Sequence, residues 1–307
     1  MNTILIGFGD LAPKYVEVMN ALNCKINGVI GRNYEKTVNR AKEFDINAFQ
    51  TIKDIELQNV DFFTILVSPE NNFNVIKDLI PLKKPIIVEK PIAFSSQKML
   101  ELIEFNKQFD TKIMVAMNRR FYSIFEKGIK FLKDSNKTIN SMFIEAPERF
   151  SDINHPKFSE VVRENWMFSN SIHCIDLIRY FGGNVSELKV NSIPKKFVYH
   201  AVGKCENSID FTYVSKWKTS GNWSVTLYAD DIKILYDPLE KGTIFENKNE
   251  HKIEPSEVDI KFKPGLFNQI KFFIENIISN KGITWPSENL DEHVKTIKLV
   301  EEIYCKK

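Results

Sequence analysis

Ile4-Leu5-Ile6-Gly7-Phe8-Gly9-Asp10-Leu11-Ala12 begins as an apolar run, turns on two glycines and leads into a helix-periodic stretch. The turn fits the spacing G-x-G-x-x-G/A, placed directly between a strand and a helix. In that setting the first glycine permits the tight turn and the second lets a pyrophosphate approach the backbone. The small third residue allows close helix–strand packing. The helix start adds amide donors and the positive end of a dipole. Gly7, Phe8, Gly9, Asp10 and Leu11 are therefore candidate phosphate-side residues of a dinucleotide site.

Outward from this turn, strand-like runs recur at Ile26–Ile30, Asp61–Val67, Pro85–Val88 and Lys112–Ala116. Helix-periodic stretches separate them: Tyr15–Leu22, Tyr34–Phe44, Asn72–Ile80 and Ser95–Phe109. Such alternation predicts βαβ units and a doubly wound parallel sheet, an α/β fold. Ligands of open α/β sheets bind beyond the carboxyl ends of the strands, so two of those ends matter. The second strand runs into Gly31-Arg32-Asn33, where an NAD-specific site has a carboxylate for the ribose hydroxyls. No carboxylate stands there to repel a 2′-phosphate, and Arg32 is able to pair with one, so NADP(H) is favoured over NAD(H). A solvated loop arginine is the alternative. The run Pro85–Val88 continues into Glu89-Lys90-Pro91, which sets a cation and a carboxylate at the same edge.

After about residue 122 the alternation stops. Ile124–Leu132 reads as a helix, Ser141–Ala146 as a strand, and Ser171–Tyr180 as an apolar helix ending at Gly182-Gly183. Strand-like runs then dominate: Leu188–Val190, Phe197–Val202, Ser208–Lys216, Asn222–Tyr228 and Ile232–Tyr236. Consecutive strands with short turns predict an antiparallel sheet. Helices are expected at Leu266–Ile278 and Asn289–Tyr304. Two domains follow, 1–121 and 122–307, with room for the C-terminal helix to pack back on the first.

Bulk properties narrow the function classes. A chain of 307 residues suits two domains, and 43% apolar with 27% charged residues is a globular balance. A net charge of +2 without long basic runs makes no electrostatic case for nucleic acid or an anionic membrane. No apolar stretch reaches the roughly 18–20 residues that span a bilayer, and the short N-terminal run is not expected to be a signal peptide. Cys24, Cys174, Cys205 and Cys305 are scattered, as free thiols of a reducing cytoplasm are. No His/Cys/Asp cluster has zinc spacing, so no metal is expected.

Taken together, the Gly7–Ala12 turn, Ser68-Pro69, Glu89-Lys90-Pro91, Asn118-Arg119-Arg120-Phe121 and Ser171-Ile172-His173-Cys174-Ile175-Asp176 resemble the Gfo/Idh/MocA oxidoreductases. This is the superfamily of glucose–fructose oxidoreductase and inositol dehydrogenase. The resemblance implies a Rossmann domain, a C-terminal α/β domain with an open, mostly antiparallel sheet, and an active site in the cleft between them. It implies cofactor contacts at Ser68, Pro69 and Glu89. Lys90 matches the lysine that hydrogen-bonds the reacting hydroxyl beside the nicotinamide, and His173 the general acid/base. Imidazole suits that role because its ordinary pKa lies near neutrality. Asp176 would orient substrate or cap a local network. The family pattern departs at Ser169, where an aspartate is usual four residues before the histidine. A pairing of subunits through the open sheet face is also implied.

Glu164-Asn165-Trp166 and Phe262–Gln269 resemble a subgroup from bacterial surface-polysaccharide pathways, which implies a sugar or nucleotide-sugar substrate. Trp166 is then a candidate cleft residue. Arg119 and Arg120 are able to bind phosphate or carboxylate bidentately, or to form a structural ion pair. Three activities stay open: an NAD(P)-dependent sugar oxidoreductase, a non-catalytic dinucleotide-dependent sensor, and a redox-assisted lyase or glycosidase.

Overall fold

The structure, a computed structural model, describes residues 1–305. It comprises two compact units that are not contiguous in sequence. The first contains Met1–Asn118 and Lys261–Val294, and the second contains Arg119–Ile260 and the residues from Lys295 onward. The helix Leu266–Ile278, which a single cut after residue 121 places in the second domain, thus belongs to the first unit. Its Phe273 meets Phe62 edge-on, centroids 5.2 Å apart, with both rings fully buried. Burial of a side chain that size contributes about 1.5–3 kcal/mol.

Six strands build the first unit: β1 (Asn2–Ile6), β2 (Lys25–Ile30), β3 (Ala48–Phe49), β4 (Phe62–Ile65), β5 (Ile86–Glu89) and β6 (Ile113–Ala116). Every pair is parallel, in the order β3-β2-β1-β4-β5-β6. Apart from Thr3 and Thr64, which share a 3.0 Å hydroxyl contact, the central strands are near-continuous apolar runs. Helices bury both faces of such a sheet. The order reverses between β1 and β4, the switch point where doubly wound sheets bind ligands. β3, only two residues long, carries too little periodicity to read from sequence.

In the second unit eight strands follow: β7 (Ser141–Glu145), β8 (Val185–Val190), β9 (Val198–Cys205), β10 (Asp210–Lys216), β11 (Ser224–Ala229), β12 (Ile232–Tyr236), β13 (Gly242–Glu246) and β14 (Asn249–Ile253). Their order is β14-β13-β12-β11-β7-β10-β9-β8. The sheet is antiparallel except at β7–β10, which pair in parallel. One face is core: Met142, Ile144, Tyr213, Leu227, Ile234 and Tyr236 are buried, and Phe125 packs on Tyr236 at 4.7 Å and on Phe181 at 5.3 Å. Along the other face the register aligns one row across the whole sheet. It runs Val202, Thr212, Phe143, Thr226, Leu235 and Thr243, with Lys189 and Lys252 at its two ends. Among the described residues no helix is long and apolar enough to cross a membrane.

Candidate active site

In the first unit, the register decides where the candidate coenzyme residues lie. Ile30, Ile6, Ile65, Val88 and Val115 form one cross-sheet row near the carboxyl ends of their strands. Consequently the glycine turn, Gly31-Arg32-Asn33, Ser68-Pro69 and Glu89-Lys90 all leave the sheet along the same edge. Gly7 has φ of 95°, and a Cβ there would lie 2.6 Å from the Leu66 carbonyl carbon, so the tight turn requires glycine. A Cβ on Gly9 would meet nothing within 4 Å. That open space above the backbone, beside a fully buried Ala12 at the helix start, fits the close approach of a pyrophosphate. The exposed Asp10 lies 3.8 Å from Arg40, and that guanidinium sits over the Phe8 ring at 6.0 Å.

At the end of β2, Arg32 is exposed. The Asn33 side chain, expected among the coenzyme contacts, serves as an N-cap: its Oδ1 accepts the Lys36 amide at 3.0 Å. Capping satisfies one of the orphan amides of the helix Tyr34–Lys42. Ser68 likewise precedes the helix Pro69–Leu79, and its hydroxyl accepts Asn71 Nδ2 at 2.8 Å.

Lys90 is held by a frame that the sequence did not reveal. Asn72, fully buried on the helix Pro69–Leu79, donates from Nδ2 to the carbonyls of Glu89 and Pro91, each at 2.8 Å. These two carbonyls flank the lysine. Tyr15 donates its phenol to Glu89 Oε1 at 2.7 Å. Burial, followed by the charge of Glu89, holds the Tyr15 hydroxyl well above its ordinary pKa, so it remains a donor. Lys90 is half-buried.

The second unit places His173 on the buried helix Ile172–Gly182, 4% exposed, with its ring 6.4 Å from that of Trp223. The Arg119 guanidinium stacks over Trp223 at 4.7 Å. Arg119, Trp223, Glu148, Asn170 and Glu240 line a hollow of 290 Å³. Arg120 and Asp176 do something else. Arg120 donates bidentately to Asp176, Nε at 2.7 Å and Nη2 at 2.6 Å, with side chains 4% and 1% exposed. Thr296 adds a third donor to Asp176 at 3.2 Å. Of the two readings of the arginine pair, the structural ion pair therefore describes Arg120, while Arg119 faces the hollow.

Ser169 and Trp166 also differ from expectation. Met167–Ser171 is a π-helical turn, so the one-turn spacing that aligns residues four apart on an α-helix does not hold between 169 and 173. Trp166 is 3% exposed; it packs edge-on against Phe158 and donates its indole N–H to Glu148 at 2.9 Å. Glu148, just beyond β7, also accepts Asn170 Nδ2 at 3.0 Å and the Ser171 hydroxyl at 2.6 Å. Burial raises its pKa, opposed by these three hydrogen bonds and by Arg119. Sequence reasoning missed Glu148 because Ala146-Pro147-Glu148-Arg149 matches no spacing rule. Only a return of the chain 18 to 23 residues later gives it partners. All four cysteines are free thiols.

Comparison with known proteins accords with this geometry. Residues 1–117 match a family model described as "Oxidoreductase family, NAD-binding Rossmann fold". No curated protein matches the chain. A UDP-N-acetylglucosamine 3-dehydrogenase from Acidithiobacillus ferrooxidans superposes with a TM-score of 0.77 at 16% identity, over 99% of this chain and 97% of its own. A dehydrogenase from Clostridium difficile gives 0.80 at 20% identity, over 100% and 99%. An oxidoreductase from Agrobacterium radiobacter, solved with NAD+, L-tartaric acid and magnesium, gives 0.77 at 15% identity, over 99% and 95%. At such identities these likenesses establish the fold. Residues 1–117 thus match the NAD-binding Rossmann domain of the Gfo/Idh/MocA oxidoreductases.

Proposed function

We propose that this protein is an NADP(H)-dependent oxidoreductase that interconverts an alcohol and a ketone on a sugar or nucleotide sugar. The observation that carries this reading is the shared sheet edge from which both the glycine turn and the framed Lys90 emerge. When bound, the nicotinamide coenzyme supplies the hydride chemistry. The protein's own residues do the rest. Gly7–Leu11 cradle the pyrophosphate, and Lys90 donates a hydrogen bond to the reacting oxygen. His173 takes up or returns the hydroxyl proton. Arg119, on Trp223, offers a guanidinium to an anionic part of the substrate. The UDP-sugar named for the Acidithiobacillus relative supports a nucleotide sugar.

The coenzyme preference rests on Arg32, exposed where no carboxylate stands. The relative solved with NAD+ makes this a point to measure. Titration of nicotinamide fluorescence is expected to show tighter binding of NADPH than of NADH. Arg32→Ala should weaken NADPH roughly tenfold, as the loss of one charge-assisted contact does, and leave NADH nearly unchanged. Equal affinities for the two would remove the NADP assignment. A screen of free and nucleoside-diphosphate sugars, followed by nicotinamide absorbance, tests the activity; if neither coenzyme binds nor turns over, the reading fails.

A homo-oligomer formed through the second unit's outer sheet face is part of the same proposal. The row from Val202 to Thr243 is apolar or hydroxylated at its centre, with a lysine at each end, and two copies related by a two-fold axis would bury it. Leu235→Asp should convert the assembly to monomers in analytical ultracentrifugation. An unchanged sedimentation coefficient would exclude this face. The free thiols fit a reducing, cytoplasmic setting.

A further inference from the structure

The geometry points to Glu148 as the positioning carboxylate of the turn that carries His173, supplying from the end of β7 the negative charge that Ser169 lacks. Three donors converge on it: Trp166 Nε1 and Asn170 Nδ2 on one oxygen, Ser171 Oγ on the other. Two of the three lie within three residues of His173. All three flank or belong to the π-helical turn Met167–Ser171. A turn wider than the α-helix leaves backbone groups in need of an anchor, and π-turns concentrate at functional sites. Here the anchor is a carboxylate 2% exposed, tied to both ends of the turn, and lining the same hollow as Arg119 and Trp223.

Its charge reaches the helix that follows. The Cys174 thiol, adjacent to His173, is raised chiefly by burial, with Arg119 lowering it and Glu148 and Glu240 raising it. Arg119, Glu148 and Glu240 thus act on the residue beside His173, and Cys174 acts in turn on Tyr213. Of the two carboxylates, Glu148 is the buried one and is held in place by hydrogen bonds. A carboxylate near an imidazole favours the imidazolium and holds its pKa up. A general acid/base works best when its pKa lies near the operating pH. Behind Glu148 the hydrogen bonds continue: Ser171 and Ser215 both reach the Tyr304 phenol, which lies 2.9 Å from that of Tyr213. The carboxylate is thus fixed from the core side.

This inference rests on His173 as the acid/base of the proposed function, so its test reads the imidazole itself. In Glu148→Gln, the amide oxygen still accepts from Trp166 and Asn170, while the amide nitrogen donates to Ser171 Oγ. Scaffold is retained and charge removed. Histidine NMR titration of the full chain, with His173 assigned from a His173→Asn variant, should show its pKa falling by about one unit in Glu148→Gln. Where a substrate is in hand, the acid limb of the kcat/KM profile should move by the same amount. If Glu148→Gln does not fold, the wild type decides: the His173 resonance must show a second inflection where Glu148 titrates. An unmoved His173 pKa in folded Glu148→Gln, or a single inflection in the wild type, overturns the proposal. Absence of any turnover in the wild type would strike the oxidoreductase reading while leaving the NMR result to judge Glu148.

Discussion

Lys90→Ala should lower kcat/KM by roughly 10²–10³-fold, the loss expected when one preorganised donor to a reacting oxygen is removed. Asn72 grips the carbonyls on both sides of the lysine, and Tyr15 grips the carboxylate of Glu89. The segment is therefore set before substrate arrives, and a donor that needs no reorganisation is most effective in the transition state. The loss should appear in kcat as well as in kcat/KM, because the contact strengthens as charge develops on the oxygen. Coenzyme binding should weaken far less, since the glycine turn and Arg32 are untouched. Lys90→Arg should recover part of the rate, retaining the charge but not the compact ammonium geometry. Steady-state kinetics with a substrate found by screening checks all three. Full activity in Lys90→Ala would remove the lysine from the chemistry, whereas coenzyme binding without turnover in the wild type would favour the non-catalytic dinucleotide-dependent sensor.

Asp176→Ala should destabilise the second unit by about 3–5 kcal/mol, because it strands the Arg120 guanidinium in the interior. Arg120 has its Nε and Nη2 committed to Asp176, and both side chains are nearly inaccessible to solvent. Thr296 links the pair to Arg179, donating to Asp176 and accepting from Arg179 at 2.7 Å. Removing the carboxylate thus breaks a network rather than a single contact. Urea denaturation measures the loss as a change in midpoint with the slope unchanged. The double variant Arg120→Met with Asp176→Leu should recover most of it, since apolar replacement removes both desolvation penalties at once. A folded, stable Asp176→Ala protein with impaired turnover would return Asp176 to the substrate side.

Legibility differed between the halves. Strands buried on both faces and separated by amphipathic helices carry two strong local signals, apolar runs and 3.6-residue periodicity, so the first unit could be read nearly element by element. The expected strand at Pro85–Val88 lies at Ile86–Glu89, and the expected helix at Tyr34–Phe44 lies at Tyr34–Lys42. In the second unit, β13 and the exposed β14 were missed as separate strands, for Asn249–Ile253 has only one buried residue and no alternation to recognise. The parallel pairing of β7 with β10 was equally invisible, because pairing partners 69 residues apart leave no trace in local pattern.

For the candidate site the division is sharper. Gly7, Gly9 and Glu89-Lys90-Pro91 were recognisable from sequence alone because their chemistry depends on backbone freedom and on neighbours in the chain. What a charged side chain meets depends on segments far away. Arg119 and Arg120 are adjacent and identical, yet one stacks on Trp223 and the other is consumed by Asp176. Successive residues leave the backbone in different directions, so only the packed core determines which one faces an open hollow and which a carboxylate. The same holds for Glu148, unremarkable in its own segment and given three partners by a later turn. Sequence determined the architecture and the coenzyme edge; tertiary packing decided which charges remain available for chemistry, because desolvation and pairing act through space.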